Sequence, residues 1–321
     1  MNWSPAFRVL IVVGLGLAAK HWLESVRVEP PKNALRIRVD GRHLYVVDDG
    51  PREARAIVLL HGSAGSCWSF EPLVPYLKDR YRVVVPERPG QGWSDRPRSY
   101  RLADMSETVY RALSLLGVVR PILVGVSYGG GVAMRIAADH PEFPSGLILL
   151  ASDGPGLTVE GHSQETAMRL GRTLLALPLV GPLLAWTVVP PLLRFFFEQG
   201  LRDKFGPDLG QLPPEYLPRA KAIYSRPGII LAATREWSHE EPDLRELEPA
   251  LSSIAVPTLV VRAELDRFVA SGVGEATAAA IPGSRLTDLA GAPHGFPESR
   301  PHETAGLIEQ FVAQVEAAGY P

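Results

Sequence analysis

The chain has 321 residues, enough for one large α/β domain with an insertion or for two modest domains. Apolar residues make up 46% and charged residues 21%, the balance of a globular chain with a sizeable core, which excludes a disordered one. The formal charge is −2 with no long basic block, so nothing in the sequence calls for nucleic acid. A single cysteine, Cys67, excludes an intramolecular disulfide and any cysteine-based metal site. Lying in Ser66-Cys67-Trp68 with no turn motif around it, it reads as a packing residue.

In chain order, the first feature is an apolar run, Val9 to Ala19, flanked by Arg8 and Lys20. It is shorter than the roughly 20 residues a helix needs to span a bilayer. A positive residue, a short apolar stretch and small residues fit a signal peptide or weak signal-anchor. The other reading is a helix packed on the protein. Residues 1–25 are assigned to this segment. Export or anchoring is favoured over a cytoplasmic chain, with membrane association as its consequence.

Ala34 to Val39 alternates around Leu35, Ile37 and Val39 as a strand does. Asp40-Gly41 signals a hairpin, and His43 to Val47 supplies the return strand. Ala56–Leu60, Arg82–Pro86, Pro121–Gly125, Gly146–Ala151, Pro257–Arg262 and Arg285–Leu289 are short apolar runs of the kind buried on both faces. Helical patterns fall between them, at about Phe70–Lys78, Leu102–Leu116, Gly129–His140, Gly272–Ile281 and His302–Ala318. Alternation of strand and helix predicts a mostly parallel sheet with helices on both faces and an antiparallel edge.

The alternation breaks from residue 153 to 249. That stretch is helical in tone, with Leu-rich and Phe-rich runs at Leu174–Trp186 and Leu192–Phe197. Pro178, Pro182, Pro190 and Pro191 argue against a membrane span. The stretch is assigned as a helical cap over a core made of residues 26–152 and 250–321. Two readings of its Leu and Phe remain open: they line an apolar pocket, or they pack the cap on the body.

The sharpest chemical signal is Gly125-Val126-Ser127-Tyr128-Gly129. A buried strand precedes it and a helical pattern follows, so Ser127 falls at a tight turn that leaves no room for side chains at Gly125 and Gly129. The helix N-terminus behind it favours developing negative charge. A serine hydroxyl needs a base. His294, in Ala292-Pro293-His294-Gly295 after the last strand, sits on a loop that opens to the same crevice. His302 starts a helix, His140 ends one, and His21, His43, His162 and His239 have no reason to face the site. The base needs an orienting acid. Asp266 follows the strand Thr258–Arg262, with Glu264 and Asp153 as rivals. Oxyanion donors are expected from the backbone of Tyr128 and from Ser63 in His61-Gly62-Ser63-Ala64-Gly65, with His61 bracing that loop.

On these residues the chain resembles the α/β-hydrolase superfamily, in its esterase, lipase and C–C hydrolase branch with a helical lid. The resemblance covers about Leu35 to Ala318. It rests on His61-Gly62, on Pro86-Glu87-Arg88-Pro89-Gly90-Gln91-Gly92-Trp93-Ser94, on the Ser127 turn, on the Asp266 loop and on His294. It implies an eight-stranded sheet, a lid over the site and the chain order Ser127, Asp266, His294 for the three catalytic groups. Two departures stand out. Glu87 replaces the usual Asp in a segment that shapes a turn. The Gly usual two residues before the acidic residue of the acid loop is absent, Ala263 preceding Glu264.

The expected activity is hydrolysis of a small hydrophobic ester through an acyl-enzyme on Ser127, with no cofactor and no metal. Cleavage of a C–C bond, an amide or a lactone, or cofactor-free perhydrolysis, on the same three residues is the alternative. Arg172, Arg194 and Arg235 are candidates for binding a substrate carboxylate. Epoxide hydrolase and haloalkane dehalogenase chemistry is disfavoured, because those relatives carry Asp at the turn.

Overall fold

A computed structural model describes residues 29–156 and 173–319, together with Ser4, Val9, residues 11–18, Lys20 and Gly171. His21, His162 and Arg172 lie outside the described residues, as do most of residues 1–25 and the side chain of Arg194.

The described residues contain one eight-stranded sheet in the order β1-β2-β4-β3-β5-β6-β7-β8. The strands are β1 (Ala34–Val39), β2 (Arg42–Asp49), β3 (Ala56–Leu60), β4 (Arg82–Pro86), β5 (Ile122–Val126), β6 (Gly146–Leu150), β7 (Thr258–Ala263) and β8 (Arg285–Leu289). β1 and β2 form the antiparallel edge, and β2 meets β4 antiparallel; every later pairing is parallel. β3 and β6 are buried along their whole length, which explains their unbroken apolar sequences. The expected α/β sheet with its antiparallel edge is therefore the observed one.

Helices cover both faces. On one, α1 (Leu102–Leu115) and α2 (Tyr128–Asp139) pack Met105, Val109, Val132 and Met134 against Val58 and Leu123. On the other, α7 (Pro301–Ala317) packs Ile308, Phe311 and Val312 against Ile57 and Ile148. Cys67 is buried in this second cluster. The helix expected over 70–78 is split into a 3-10 turn, Cys67–Phe70, and a single helical turn, Val74–Leu77. Pro72 and Pro75 lack the N–H groups that a continuous helix needs there.

Between β6 and β7 lies the inserted helical segment. It comprises α3 (Val180–Thr187), α4 (Val189–Phe205), a 3-10 turn at Gly206–Gln211, α5 (Tyr216–Tyr224) and α6 (Pro227–Leu247). The Leu- and Phe-rich runs pack only in part: Leu175 and Ala185 meet Ile230 and Leu231 of α6, and Phe197 packs with Leu201, Phe205 and Leu212. Leu179, Leu183, Phe195 and Phe196 face solvent, at 86%, 63%, 81% and 55% exposure. α3 is apolar all round and so is the first half of α4, so neither has a polar face to turn to solvent, whereas the second half of α4 is polar.

α6 ties this segment to the body. The buried Asp243 carboxylate accepts the Leu102 N–H at 2.7 Å and pairs with Arg101, capping α1, which has no side-chain cap of its own. Asp243→Ala should lower the unfolding free energy by about 1–2 kcal/mol, because the buried Leu102 N–H loses its acceptor. Urea unfolding measures this; an unchanged midpoint and slope would show that the cap contributes nothing.

Candidate active site

The loops at the C-terminal ends of β3, β5, β6, β7 and β8 converge on one cleft, the place where ligands bind in parallel α/β sheets. Ser127 sits between β5 and α2 with φ 52° and ψ −129°, a left-handed conformation that a residue with a side chain rarely adopts. Its backbone is fixed from three sides. The Ser127 N–H donates to Leu150 O at 3.2 Å, and Ser127 O accepts from Gly130 at 2.7 Å and from Asp153 at 3.2 Å. Close approach then dictates glycine on either side. A Cβ on Gly125 would lie 2.5 Å from Gly129 O, and one on Gly129 would strike the Leu60 carbonyl. β3, β5 and α2 interlock only without those side chains.

His294 follows β8 and is buried, and its Nδ1 lies 2.8 Å from Asp266 Oδ2. Asp266 follows β7, and its other carboxylate oxygen accepts the N–H groups of Phe268 and Val269 at 2.7 and 2.9 Å. These bonds fix the carboxylate and leave it an acceptor for the ring N–H. The rivals sit elsewhere. Glu264 accepts the Gly291 N–H at 2.6 Å at the surface. Asp153 follows β6, lines the cleft and shares a hydrogen bond with Glu240 of α6; burial pushes its carboxyl above the usual range.

The loop after β3 runs beside the serine, close enough that a Cβ on Gly62 would lie 3.0 Å from Ser127 Cβ. His61 lines the cleft, but both its ring nitrogens are engaged in the loop behind it. It is fully buried, its Nδ1 lies 3.0 Å from Gly62 O, and its Nε2 accepts the Arg88 N–H at 3.1 Å. Arg88 is buried too, and its guanidinium forms a two-pronged pair with Glu236 of α6 at 2.6 and 3.2 Å.

Ser127, His294, Gly62 and Ser63 share one cavity of about 440 Å³. Its walls mix Phe70, Trp237 and Phe268 with charged Lys204, Glu240 and Glu298. Lys204 pairs with Glu298, which also accepts from the Tyr216 hydroxyl. Burial opposes the Lys204 charge, but Glu298 and Tyr224 together outweigh it and leave the ammonium above its ordinary range. The wall is thus more polar than the Leu-rich sequence implied, and the insertion's share of it comes chiefly from α6 and from the end of α4. Nothing in the local sequence distinguishes Glu236, Trp237, Glu240 or Lys204 from surface helical residues. Arg235 lies exposed with its guanidinium over the Tyr100 ring, outside the cavity wall. His140 stacks on Tyr110 and meets Glu107, His302 lies exposed against Tyr76, and His43 faces Asp95.

Residues 55–301 match the family described as the alpha/beta hydrolase fold, and the chain belongs to that family of hydrolases. It is 27% identical over 285 residues to the uncharacterized hydrolase YugF of Bacillus subtilis, covering 86% of this chain and 97% of that one. It is 31% identical over 268 residues to the magnesium-chelatase 30 kDa subunit of Rhodobacter capsulatus, covering 80% and 87%. Among solved structures it is similar to Est816, described as an N-acyl homoserine lactone degrading enzyme. The TM-score there is 0.65 and the identity 26%, over 86% of this chain and 100% of that one.

Two buried groups behind the cleft titrate abnormally. Burial and the Arg88 charge push His61 well below its ordinary value, keeping it neutral. Glu87, 1% exposed and accepting the Cys67 N–H at 3.1 Å, is raised by burial to about 7. A raised carboxyl favours folding while it holds its proton, below its unfolded value, and loses that contribution as pH rises through the folded value. Glu87→Gln has no such loss. Its melting temperature should therefore gain on that of the parent chain between pH 4.5 and 7. A difference that is flat over this range would show that burial does not raise the Glu87 carboxyl.

Proposed function

We propose that this chain is a serine hydrolase that cleaves carboxylic esters through an acyl-enzyme on Ser127. The observation that carries the reading is the joint geometry of Ser127 and His294. A strained serine and a histidine ring fixed through Nδ1 by Asp266 line the same cavity. Asp266 holds the tautomer with hydrogen on Nδ1, which leaves Nε2 free to accept the serine proton. Ser127 Oγ attacks the acyl carbonyl as His294 takes its proton. The N–H groups of Tyr128 and Ser63 receive the developing oxyanion. Tyr128 opens α2, where first-turn N–H groups have no acceptor within the helix. The His294 proton passes to the leaving alcohol, and His294 then activates a water that releases the acid and restores Ser127.

The inserted segment serves as the lid of this site, a role supported by Trp237 and Glu240, which line the same cavity as Ser127. The mixed wall supports a substrate with an apolar acyl part and a polar group beside it. Lactone cleavage on the same residues is the second reading, supported by the likeness to Est816. Ser127→Ala should lose turnover of p-nitrophenyl esters by at least about 10⁴-fold with its fold intact, since nothing else in the cleft replaces the nucleophile. Steady-state kinetics over acyl lengths, with homoserine lactones alongside, tests both readings; an active alanine variant would remove the first and the second together.

The N-terminal residues and the outer face of the insertion support contact with a membrane surface. A Cβ on Gly14 would lie 3.9 Å from the Thr187 side chain, so the helical residues 11–18 run beside α3. Val12 and Leu15 there are exposed at 68% and 66%, as are Leu179 and Leu183 of the neighbouring insertion at 86% and 63%. Residues 1–23 and 171–197 carry Arg8, Lys20, Arg172 and Arg194 and no acidic residue, which suits an anionic lipid surface. None of the described helices is long and apolar enough to cross a membrane. The protein should sediment with phosphatidylglycerol vesicles, less with phosphatidylcholine vesicles, and less again as Leu183→Glu/Phe195→Glu. Equal sedimentation of parent and variant, or self-association in place of vesicle binding, would contradict this contact.

A further inference from the structure

We infer that Arg88 and Glu236 are positioning residues that aim the Ser63 N–H at the reacting oxygen and link that aim to the seating of the inserted segment. The inference rests on the serine-hydrolase reading above.

One peptide unit carries both groups. The Gly62 carbonyl and the Ser63 N–H belong to the same planar group and point in opposite directions. Whatever holds the carbonyl therefore sets the direction of the N–H. Gly62 O receives Arg88 Nη2 at 2.8 Å and the Gly65 N–H at 3.1 Å, and it lies 3.0 Å from His61 Nδ1. His61 is neutral, and its Nε2 is occupied as an acceptor by the Arg88 N–H, so its hydrogen is on Nδ1 and points to Gly62 O. Three donors, one of them a buried cation, thus crowd onto one carbonyl. They fix the peptide plane and polarise it, which strengthens the opposite N–H as a donor.

Arg88 holds the neighbouring peptide as well, donating from Nε to His61 O at 2.9 Å. Its guanidinium lies 4.6 Å from the centre of the Tyr128 ring, the residue that supplies the other expected donor. One buried side chain therefore touches both arms of the oxyanion site. Ala64, next along the loop, has φ 54°, a strained conformation that such bonds keep in place.

The charge on Arg88 is balanced from the other side of the cleft. Glu236 is 0% exposed, lies on α6 next to the cavity residue Trp237, and also accepts from the Ser63 hydroxyl at 3.5 Å. A buried cation that loses its partner is strongly penalised. Any displacement of α6 separates this pair and frees Arg88 from the geometry that holds Gly62 O. The oxyanion donor is then aligned only when the inserted segment is seated, so the site is fully formed only when it is covered.

The test uses the full chain, with p-nitrophenyl butyrate as substrate and an aliphatic trifluoromethyl ketone as a mimic of the oxyanion. Arg88→Lys keeps the charge for Glu236 but lacks the fork that reaches both carbonyls. Its kcat should fall about 10²-fold or more, the loss typical of one oxyanion donor. KM should stay within roughly threefold of the parent value, because ground-state binding is not involved. The ketone should lose affinity by the same factor as kcat/KM, since its hemiketal oxygen occupies the place of the oxyanion. Arg88→Met/Glu236→Met removes both charges together, leaves no unpaired ion, and should show the same pattern. A folded Arg88→Lys variant with parental kcat overturns the inference. So does a loss confined to KM, or a ketone affinity that does not follow kcat/KM. A parent chain inert to both the ester and a fluorophosphonate sinks the serine-hydrolase reading itself, and this inference with it.

Discussion

The turn at Ser127 is the constraint around which the rest is arranged. A side-chain-bearing residue at φ 52° is held there by bonds to Leu150, Gly130 and Asp153, and by three chain segments approaching too closely for any side chain at Gly125 or Gly129. The cost of such a conformation is of order 1–3 kcal/mol, and it persists only because the surroundings over-determine it. β5 must lie between β3 and β6 for this to happen, because the Leu60 carbonyl and the Leu150 carbonyl close in from opposite sides. Sheet order and strained turn are thus one feature described at two scales.

Buried charge forms a second layer around that turn. Arg88 with Glu236 and Lys204 with Glu298 are ion pairs, and the Asp266 carboxylate is hydrogen-bonded to His294. Paired buried ions give modest net stability but penalise misplacement heavily. They therefore suit a site whose geometry matters more than its contribution to folding. The Arg88–Glu236 pair, together with the Arg101–Asp243 pair away from the cleft, joins the body to α6, so the helix that lines the cleft is held by directional contacts as well as by apolar packing.

Much of this was legible in the sequence where the signal is local. Unbroken apolar runs located β3 to β6, because strands buried on both faces leave no polar alternation. Gly125-x-Ser127-x-Gly129 between a strand and a helix located the turn, and the loops after β7 and β8 located Asp266 and His294. What local signals could not give is pairing at a distance. Glu236 and Glu240 look like ordinary polar residues of an exposed helix, and only the fold turns them inward. The Leu- and Phe-rich runs failed for the opposite reason: apolarity without a clear stripe does not say which side is covered, and Leu179 and Phe195 point outward. The expected helix from Phe70 to Lys78 ignored Pro72 and Pro75, which interrupt it.

The central claim is that Ser127 is an activated nucleophile. It is tested most directly by treating the folded protein with a fluorophosphonate and locating the adduct by peptide mass spectrometry. The account predicts one stoichiometric adduct on the peptide carrying Ser127, formed rapidly by the native chain and not after unfolding. An adduct on another residue, or no adduct on a folded and otherwise intact chain, would contradict it.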